Sequence, residues 1–238
     1  MTGMSFAVKF QQKPELEAKM FWQEEEDEER FVVPDDVLDL LFKINCPTLP
    51  IDHAWALSQA IQQVLPWFAD EPKAGLHLIY GADSGNGWER PSGSDQLLYL
   101  SRRTPLILRL PNSRIEDAGV LTDQSLDIDG HSLEIGKSHT RLLGMTTTLY
   151  CRHLIDDENQ SEDEFLQNSV DQLGALKLRF KKILCGKGEQ FATPDGPLRT
   201  KSLMVAGLTL DDAVTLQKEG LGPFRTRGFG LFNPHKTV

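Results

Sequence analysis

The fold class predicted for this 238-residue chain is α+β, built as two tandem βαββαβ units in the ferredoxin-like arrangement. Three observations predict it. Apolar runs of strand length alternate with stretches whose apolar residues recur at helical spacing. An alternating apolar and polar stretch divided by Asp129-Gly130 reads as a β-hairpin where the first unit should end. The second half then repeats the same order of elements without visible sequence similarity. A single mixed α+β domain of the same elements is the alternative, since the length allows either one large domain or two of about 100 residues.

Residues 1–34 are polar and charged and carry no apolar period, so they read as an acidic N-terminal extension. The run from Val37 to Ile44 has strand length and is closed by Asn45-Cys46-Pro47. Asp52 is placed to cap a helix in which Ala54, Leu57, Ile61, Val64 and Leu65 recur at helical spacing until Pro66, with His53 in its first turn. Gly75 to Gly81 encloses a second strand, and Ala82 to Ser94 is a loop rich in Gly and Ser. Leu97 to Arg109 reads as one long strand interrupted at Pro105, Asn112 to Leu121 as a short helix, and Ser125 to Gly136 as the hairpin. The first domain is thus expected at 35–144 and the second at 145–238.

In the second unit, Thr146 to Ile155 is a strand, and Glu162 to Ala175 is a helix with Phe165, Leu166, Val170 and Leu173 on one face. Ile183 to Gly186 and Leu203 to Leu208 read as strands flanking a loop that carries Lys187, Arg199 and Lys201. Asp211 to Glu219 is the next helix, and Gly228 to Phe232 the last strand.

The formal charge of −10 argues against nucleic acid, yet it hides an asymmetry. Residues 1–164 hold 14 Lys and Arg against 29 Asp and Glu, whereas residues 165–238 hold 11 against 6. The basic face therefore lies in the C-terminal third. Acidic runs at 24–29 and 156–164 read as solvated tails or linkers. No apolar run approaches the roughly 20 residues of a membrane span, and the first residues lack the order of a signal peptide, so a cytoplasmic protein without membrane contact is expected. Cys46, Cys151 and Cys185 are expected as buried thiols, and no His or Cys spacing implies a metal or cofactor.

The most distinctive stretch is 218–236. Gly220, Gly222, Gly228 and Gly230 enclose Phe224, Arg225, Arg227 and Phe229. A glycine run lets backbone amides approach a phosphate with no Cβ in the way. Neither a P-loop nor a dinucleotide fingerprint fits, because no Gly-Lys-Ser/Thr follows and no helix opens after the glycines. A polynucleotide backbone is the better ligand. Gly220 alone serves equally well as the C-cap of the helix ending at Glu219.

These glycines and arginines resemble the C-terminal glycine-rich loop of the CRISPR-associated endoribonucleases that cut precursor CRISPR RNA within each repeat, members of the repeat-associated (RAMP) superfamily. Four further stretches resemble its MYXAN subtype: Leu49 to Leu57 with His53, Leu100-Ser101-Arg102-Arg103, Leu184-Cys185-Gly186-Lys187, and Asn233-Pro234-His235-Lys236. The resemblance covers residues 35 to 236. It implies metal-independent cleavage in which a ribose 2′-hydroxyl attacks the scissile phosphate, leaving a 2′,3′-cyclic phosphate. It also implies a crRNA 3′ hairpin retained after cutting, together with other Cas proteins of a Cascade-type complex.

Within that implication His53 is the expected general acid or base, because imidazole titrates near neutral pH and the family carries a histidine at its first helix. His77, in an apolar strand, better suits a core histidine. Arg102 and Arg103 read as consecutive strand residues on opposite faces, so one of the two, Arg102 or Arg103, is expected to stabilise the phosphorane, a surface ion pair being the rival role. The tyrosine or lysine partner is not placed, with Tyr80 and Lys137 the candidates. Lys177, Arg179, Lys181 and Lys182 are expected to grip a hairpin backbone, and Lys187, Arg199 and Lys201 to complete a basic path to Gly222, Arg225, Arg227, Gly228 and Gly230. Two rival readings remain: a repeat-RNA-binding subunit that does not cut, and an acidic ferredoxin-like interaction protein with no RNA role.

Overall fold

Along the first strand, alternation sends Leu40 and Phe42 into the core and Asp39 to the opposite face. That split sets up the whole architecture. The computed structural model describes residues 31–81, 96–157 and 160–235. The expected extension before residue 31, the Gly/Ser loop and Lys236 lie outside the described residues.

The first half runs β1 (Val37–Asn45), β2 (Thr48–Pro50), α1 (Ala54–Val64), β3 (Gly75–His77), β4 (Leu97–Tyr99), β5 (Pro105–Pro111), α2 (Ile115–Ala118), β6 (Ser125–Ile128) and β7 (His131–Arg141). Its main sheet has the order β3-β5-β1-β7-β6, with all neighbours antiparallel. β2 and β4 pair separately as a two-stranded ribbon. The second half runs β8 (Thr148–Ile155), α3 (Glu162–Ala175), β9 (Lys182–Phe191), β10 (Leu198–Ala206), α4 (Leu210–Glu219) and β11 (Asn233–Pro234), in the order β11-β8-β10-β9. In the second half the first strand, β8, lies between the third, β10, and the last, β11, and in the first half β1 lies likewise between β5 and the last strand, β7. This is the ferredoxin-like order, so the protein is α+β with two such units in tandem.

Local chemistry explains the elements. α1 buries Leu57, Ala60 and Ile61 against the first sheet and stops before Pro66. α3 begins with a reciprocal cap: Glu164 N–H donates to Ser161 Oγ at 3.3 Å, and Ser161 N–H donates to Glu164 Oε2 at 2.8 Å. Thr209 caps α4, and Gly220, at φ +64°, ends it as its C-cap. Each half has its own apolar core, and a third cluster of Ala54, Leu78, Phe191 and Phe229 joins them.

The sequence reading errs where side chains compete with the ladder. The long strand expected from Leu97 to Arg109 breaks into β4 and β5, because Thr104 N–H bonds Ser101 O and Arg103 N–H bonds Ser101 Oγ to close a turn. Arg102 and Arg103 are therefore exposed turn residues, not strand residues on opposite faces. β3 ends at His77, four residues before the expected limit. β9 and β10 extend far enough that Lys187, Arg199 and Lys201 lie within strands and not in a loop. The expected last strand at Gly228 to Phe232 is not one; β11 follows it.

The halves are tied through a polar row crossing the open face of the first sheet. Arg109 and Asp39 are direct cross-strand partners, and Arg141 stands opposite Asp39 on its other side. Arg109, 1% exposed, donates Nε to Asp39 Oδ1 at 2.8 Å. Its Nη1 donates to the carbonyls of Gln217 at 2.9 Å and Phe232 at 2.8 Å, both in the second half. Gln217 in turn bonds both backbone groups of Gly144, which precedes β8. His77 Nε2 lies 3.6 Å from Asp39 Oδ1.

Two predictions follow from this row. Arg109→Leu leaves the Asp39 carboxylate short of its main partner and empties three second-half acceptors, the Gln217 and Phe232 carbonyls and Asn233 Oδ1; we expect a loss of about 3–5 kcal/mol in urea unfolding. Burial lowers the His77 pKa, Asp39 opposing it and Arg109 and Arg141 adding to it. The folded state is then proton-poor relative to an unfolded histidine near about 6.5, so stability is full above that pH and falls as pH drops below it. Urea midpoints measured from pH 8 to pH 5 should show this slope, reduced in His77→Gln.

Candidate nucleic-acid interface

His53, and not Asp52, occupies the N-cap position of α1, and its side chain makes no cap bond. Its ring turns inward. Nδ1 lies 2.9 Å from Pro50 O, and Nε2 accepts the N–H of Ile79 at 3.1 Å, leaving His53 2% exposed. A carbonyl on one nitrogen and an amide on the other set the tautomer, with the proton on Nδ1 and the lone pair on Nε2. The ring thus joins the end of β2, the start of α1 and the segment leaving β3.

Tyr80 follows on that segment. Its ring is stacked 6.0 Å from His153, Arg152 lies 4.8 Å over it, and burial pushes its phenol pKa up. Lys137 lies on β7, separated from β3 by β5 and β1, and so does not share this location.

The glycine segment differs from the expectation. The Gly222 N–H donates to Gln172 Oε1, that of Gly228 to Arg225 O, and that of Gly230 to His153 O. The three amides predicted to track phosphate are engaged inside the protein. What the glycines provide is close passage: at Gly230, φ +69°, a Cβ would collide with the Leu221 carbonyl as the chain crosses itself. Leu221 N–H bonds Gly230 O at 3.1 Å and closes the loop.

The two arginines of the loop have opposite surroundings. Arg225 Nη1 donates to Glu219 O at 2.7 Å and, with Nη2, reaches Pro72 and Lys73 carbonyls in the first half at 3.4 Å. Burial, with Arg109 adding, pushes its pKa down to about 10. Arg225, expected on the basic path, thus anchors the loop to backbone carbonyls of both halves. Arg227 instead lies with its guanidinium 4.3 Å from the Trp55 ring and 4.8 Å from the Phe224 ring. Ser58 Oγ on α1 donates to Thr226 O at 2.9 Å, so the loop of the second half is seated on the first helix. A cavity of about 150 Å³ opens there, lined by Trp55, Phe191, Asp195, Phe224, Arg227 and Phe229 among others.

The remaining basic residues spread along the second half. Lys177, Arg179, Lys181 and Lys182 are exposed in the link from α3 to β9, with Arg179 3.6 Å from Asp212. Lys182 and Phe191 are the two ends of β9, about 30 Å apart at 3.3 Å per residue, so this cluster is remote from the cavity. Lys187 and Arg199 are exposed on β9 and β10. Lys201 bonds Asp156 at 3.2 Å and lies 5.2 Å over Phe165, so it serves the fold. Sequence reasoning overlooked Trp55, Phe191 and Asp195. Trp55 stood beside His53 in a quoted stretch, but no sequence spacing joins it to Arg227. Among the described residues, no group of three or more His, Cys, Asp or Glu is arranged to hold a metal ion, and no helix is long and apolar enough to cross a membrane.

The family model described as Cas6 Crispr matches residues 38–237, spanning both halves. A curated relative, the CRISPR-associated endonuclease Cas6 of Myxococcus xanthus (strain DK1622), is 26% identical over 197 residues, covering 83% of this chain and 81% of the relative. Solved structures share the fold. One described as CRISPR associated protein Cas6 superposes with a TM-score of 0.59 at 13% identity, over 84% of this chain and 100% of its own. Another, of a Cas6-related gene product from Pyrococcus furiosus, gives 0.57 at 12% identity, over 83% and 98%.

Substituting Gly230 by Ala forces a left-handed alanine against the Leu221 carbonyl. We expect a loss of at least about 2 kcal/mol in thermal or urea unfolding, whereas Gly174→Ala, where a Cβ meets nothing, should be neutral or stabilising.

Proposed function

Because the chain belongs to the Cas6 family of CRISPR-associated proteins, we propose that it is a cytoplasmic endoribonuclease that cuts precursor CRISPR RNA within its repeats. The observation that carries this reading is the seating of the second half's glycine loop on α1. It sets Arg227 over Trp55, two residues from His53, at the junction of two ferredoxin-like units. The name of the Myxococcus relative supports the same activity. We take 35–144 and 145–238 as the two domains that clasp the RNA, behind an extension at 1–34.

In the finer reading cleavage needs no metal: the 2′-hydroxyl gives up its proton and attacks the adjacent phosphate. The P–O5′ bond breaks, the 5′-oxygen leaves as a hydroxyl and a 2′,3′-cyclic phosphate remains. His53 is the general acid or base that moves a proton. The bond from Nδ1 to Pro50 O holds the ring so that Nε2 is its basic atom. Ile79 N–H occupies that lone pair, so turnover requires the segment after β3 to draw back and the RNA hydroxyl to replace it. Arg102 and Arg103, on their exposed turn, and Lys187 and Arg199 on the hairpin of β9 and β10 then meet the phosphate backbone. The product hairpin stays bound and enters a complex with other Cas proteins. A non-cleaving RNA-holding subunit is the second reading, favoured by the engagement of both His53 nitrogens.

The test is incubation of purified protein with labelled repeat RNA in EDTA, beside His53→Asn and His53→Ala. Asn can still donate to Pro50 O, so its thermal midpoint should stay near wild type while cleavage falls about 10²- to 10⁴-fold and binding persists. Unchanged cleavage in His53→Asn would show that the ring only clamps the fold. Tight binding with no product from wild type would establish the non-cleaving subunit.

A further inference from the structure

The cavity between α1, the turn joining β9 to β10, and the glycine loop has features that a phosphate-tracking surface does not require. At about 150 Å³ it is smaller than the roughly 300 Å³ at which drug-sized ligand sites begin, so it admits one ring system and not a whole nucleotide cofactor. Trp55 and Phe224 line it as partly exposed rings, the kind of group on which an unpaired base stacks, above a floor formed by the buried Phe191 and Phe229. Two opposite charges line it as well. Among the described residues Arg227 has no hydrogen-bond acceptor or ion-pair partner, its guanidinium being held only by the faces of Trp55 and Phe224. Asp195 lines the same cavity and forms no ion pair with it or with any other described residue. Thr193 Oγ1 donates to Gly196 O at 2.6 Å, which fixes the turn that carries Asp195.

We infer that this cavity is a guanine-recognition site for one unpaired nucleobase of the bound RNA, with Arg227 and Asp195 reading two edges of the base. The inference rests on the RNA-binding reading above and adds to it a base and two specificity residues. Guanine presents two acceptors, O6 and N7, which a guanidinium fork meets together. It also presents two donors, N1–H and the N2 amine, which one carboxylate accepts together. Adenine and cytosine each offer one amine and lack the paired donors, and uracil offers a single imino proton. A phosphate in the cavity would be repelled by Asp195, so the base enters and the backbone stays outside.

The test measures fluorescence anisotropy of a labelled RNA hairpin of fixed stem with tails of four uridines on both sides. One tail uridine at a time is replaced by guanosine, adenosine, inosine or 7-deazaguanosine. At one tail position guanosine should tighten binding about tenfold over uridine or adenosine. Inosine, without the N2 amine, and 7-deazaguanosine, without N7, should each lose part of that gain. Asp195→Asn should abolish the preference while uridine-tailed hairpin binding is kept. Hairpin binding blind to guanosine at every position would overturn the inference, as would an Arg227→Ala loss equal for all tails with a shallower salt dependence, the mark of a phosphate contact. Should no hairpin bind at low salt, the RNA reading itself fails. The cavity is then read by saturation-transfer NMR with free guanosine against adenosine, where equal or absent transfer overturns the inference by itself.

Discussion

The relation between the two halves depends on one buried ion pair. Asp39 and Arg109 face each other across β1 and β5, and a charge so placed is tolerable only when every donor and acceptor around it is matched. Two of the groups that complete the match, the carbonyls of Gln217 and Phe232, come from the second half. Arg109 therefore cannot be satisfied by its own sheet alone, and docking of the halves solves a desolvation problem as well as burying apolar surface. Gly75, beside Arg109 on β3, leaves room for the Leu231 side chain that follows the glycine loop.

From that fixed point the interface follows. With Phe232 held at Arg109 and Gly220 ending α4, the intervening loop must close within a short span, and it does so by crossing itself at Leu221 and Gly230. The amides of Leu221, Gly222, Gly228 and Gly230 all find acceptors within the protein, which is why the glycines serve packing here. The crossing also separates two arginines that differ by only two positions. Arg225 points back into carbonyls at the helix end and of the first half, while Arg227 lies over two aromatic rings and, among the described residues, meets no acceptor.

Much of the fold was legible in the sequence because its signals are local. The helical spacing of Ala54, Leu57 and Ile61, the Asp129-Gly130 hairpin and the Phe165 to Leu173 face all specify their elements through nearest neighbours. The failures were local signals overruled by side-chain bonds, one local and one not: Ser101 turned a strand into a turn, and Ile79 gave its amide to a histidine ring 26 positions earlier, not to a ladder. The site was less legible. His53 was singled out by its chemistry and the family resemblance and Arg225 by its place in the glycine run, and neither signal says whether a side chain's donors are already taken.

By itself the sequence determined the two βαββαβ units, the basic bias of the C-terminal third and the stretches that mark the family, since all three are written in composition and short-range order. Only the tertiary structure decided that Arg109 would join the halves, that Arg225 would be bonded to backbone carbonyls and Arg227 set over two aromatic rings, and that Trp55, Phe191 and Asp195 would meet in one cavity. These residues lie as much as 172 positions apart, from Trp55 to Arg227. Their meeting depends on which backbone groups remain unpaired after each half has formed, a quantity that belongs to the folded whole.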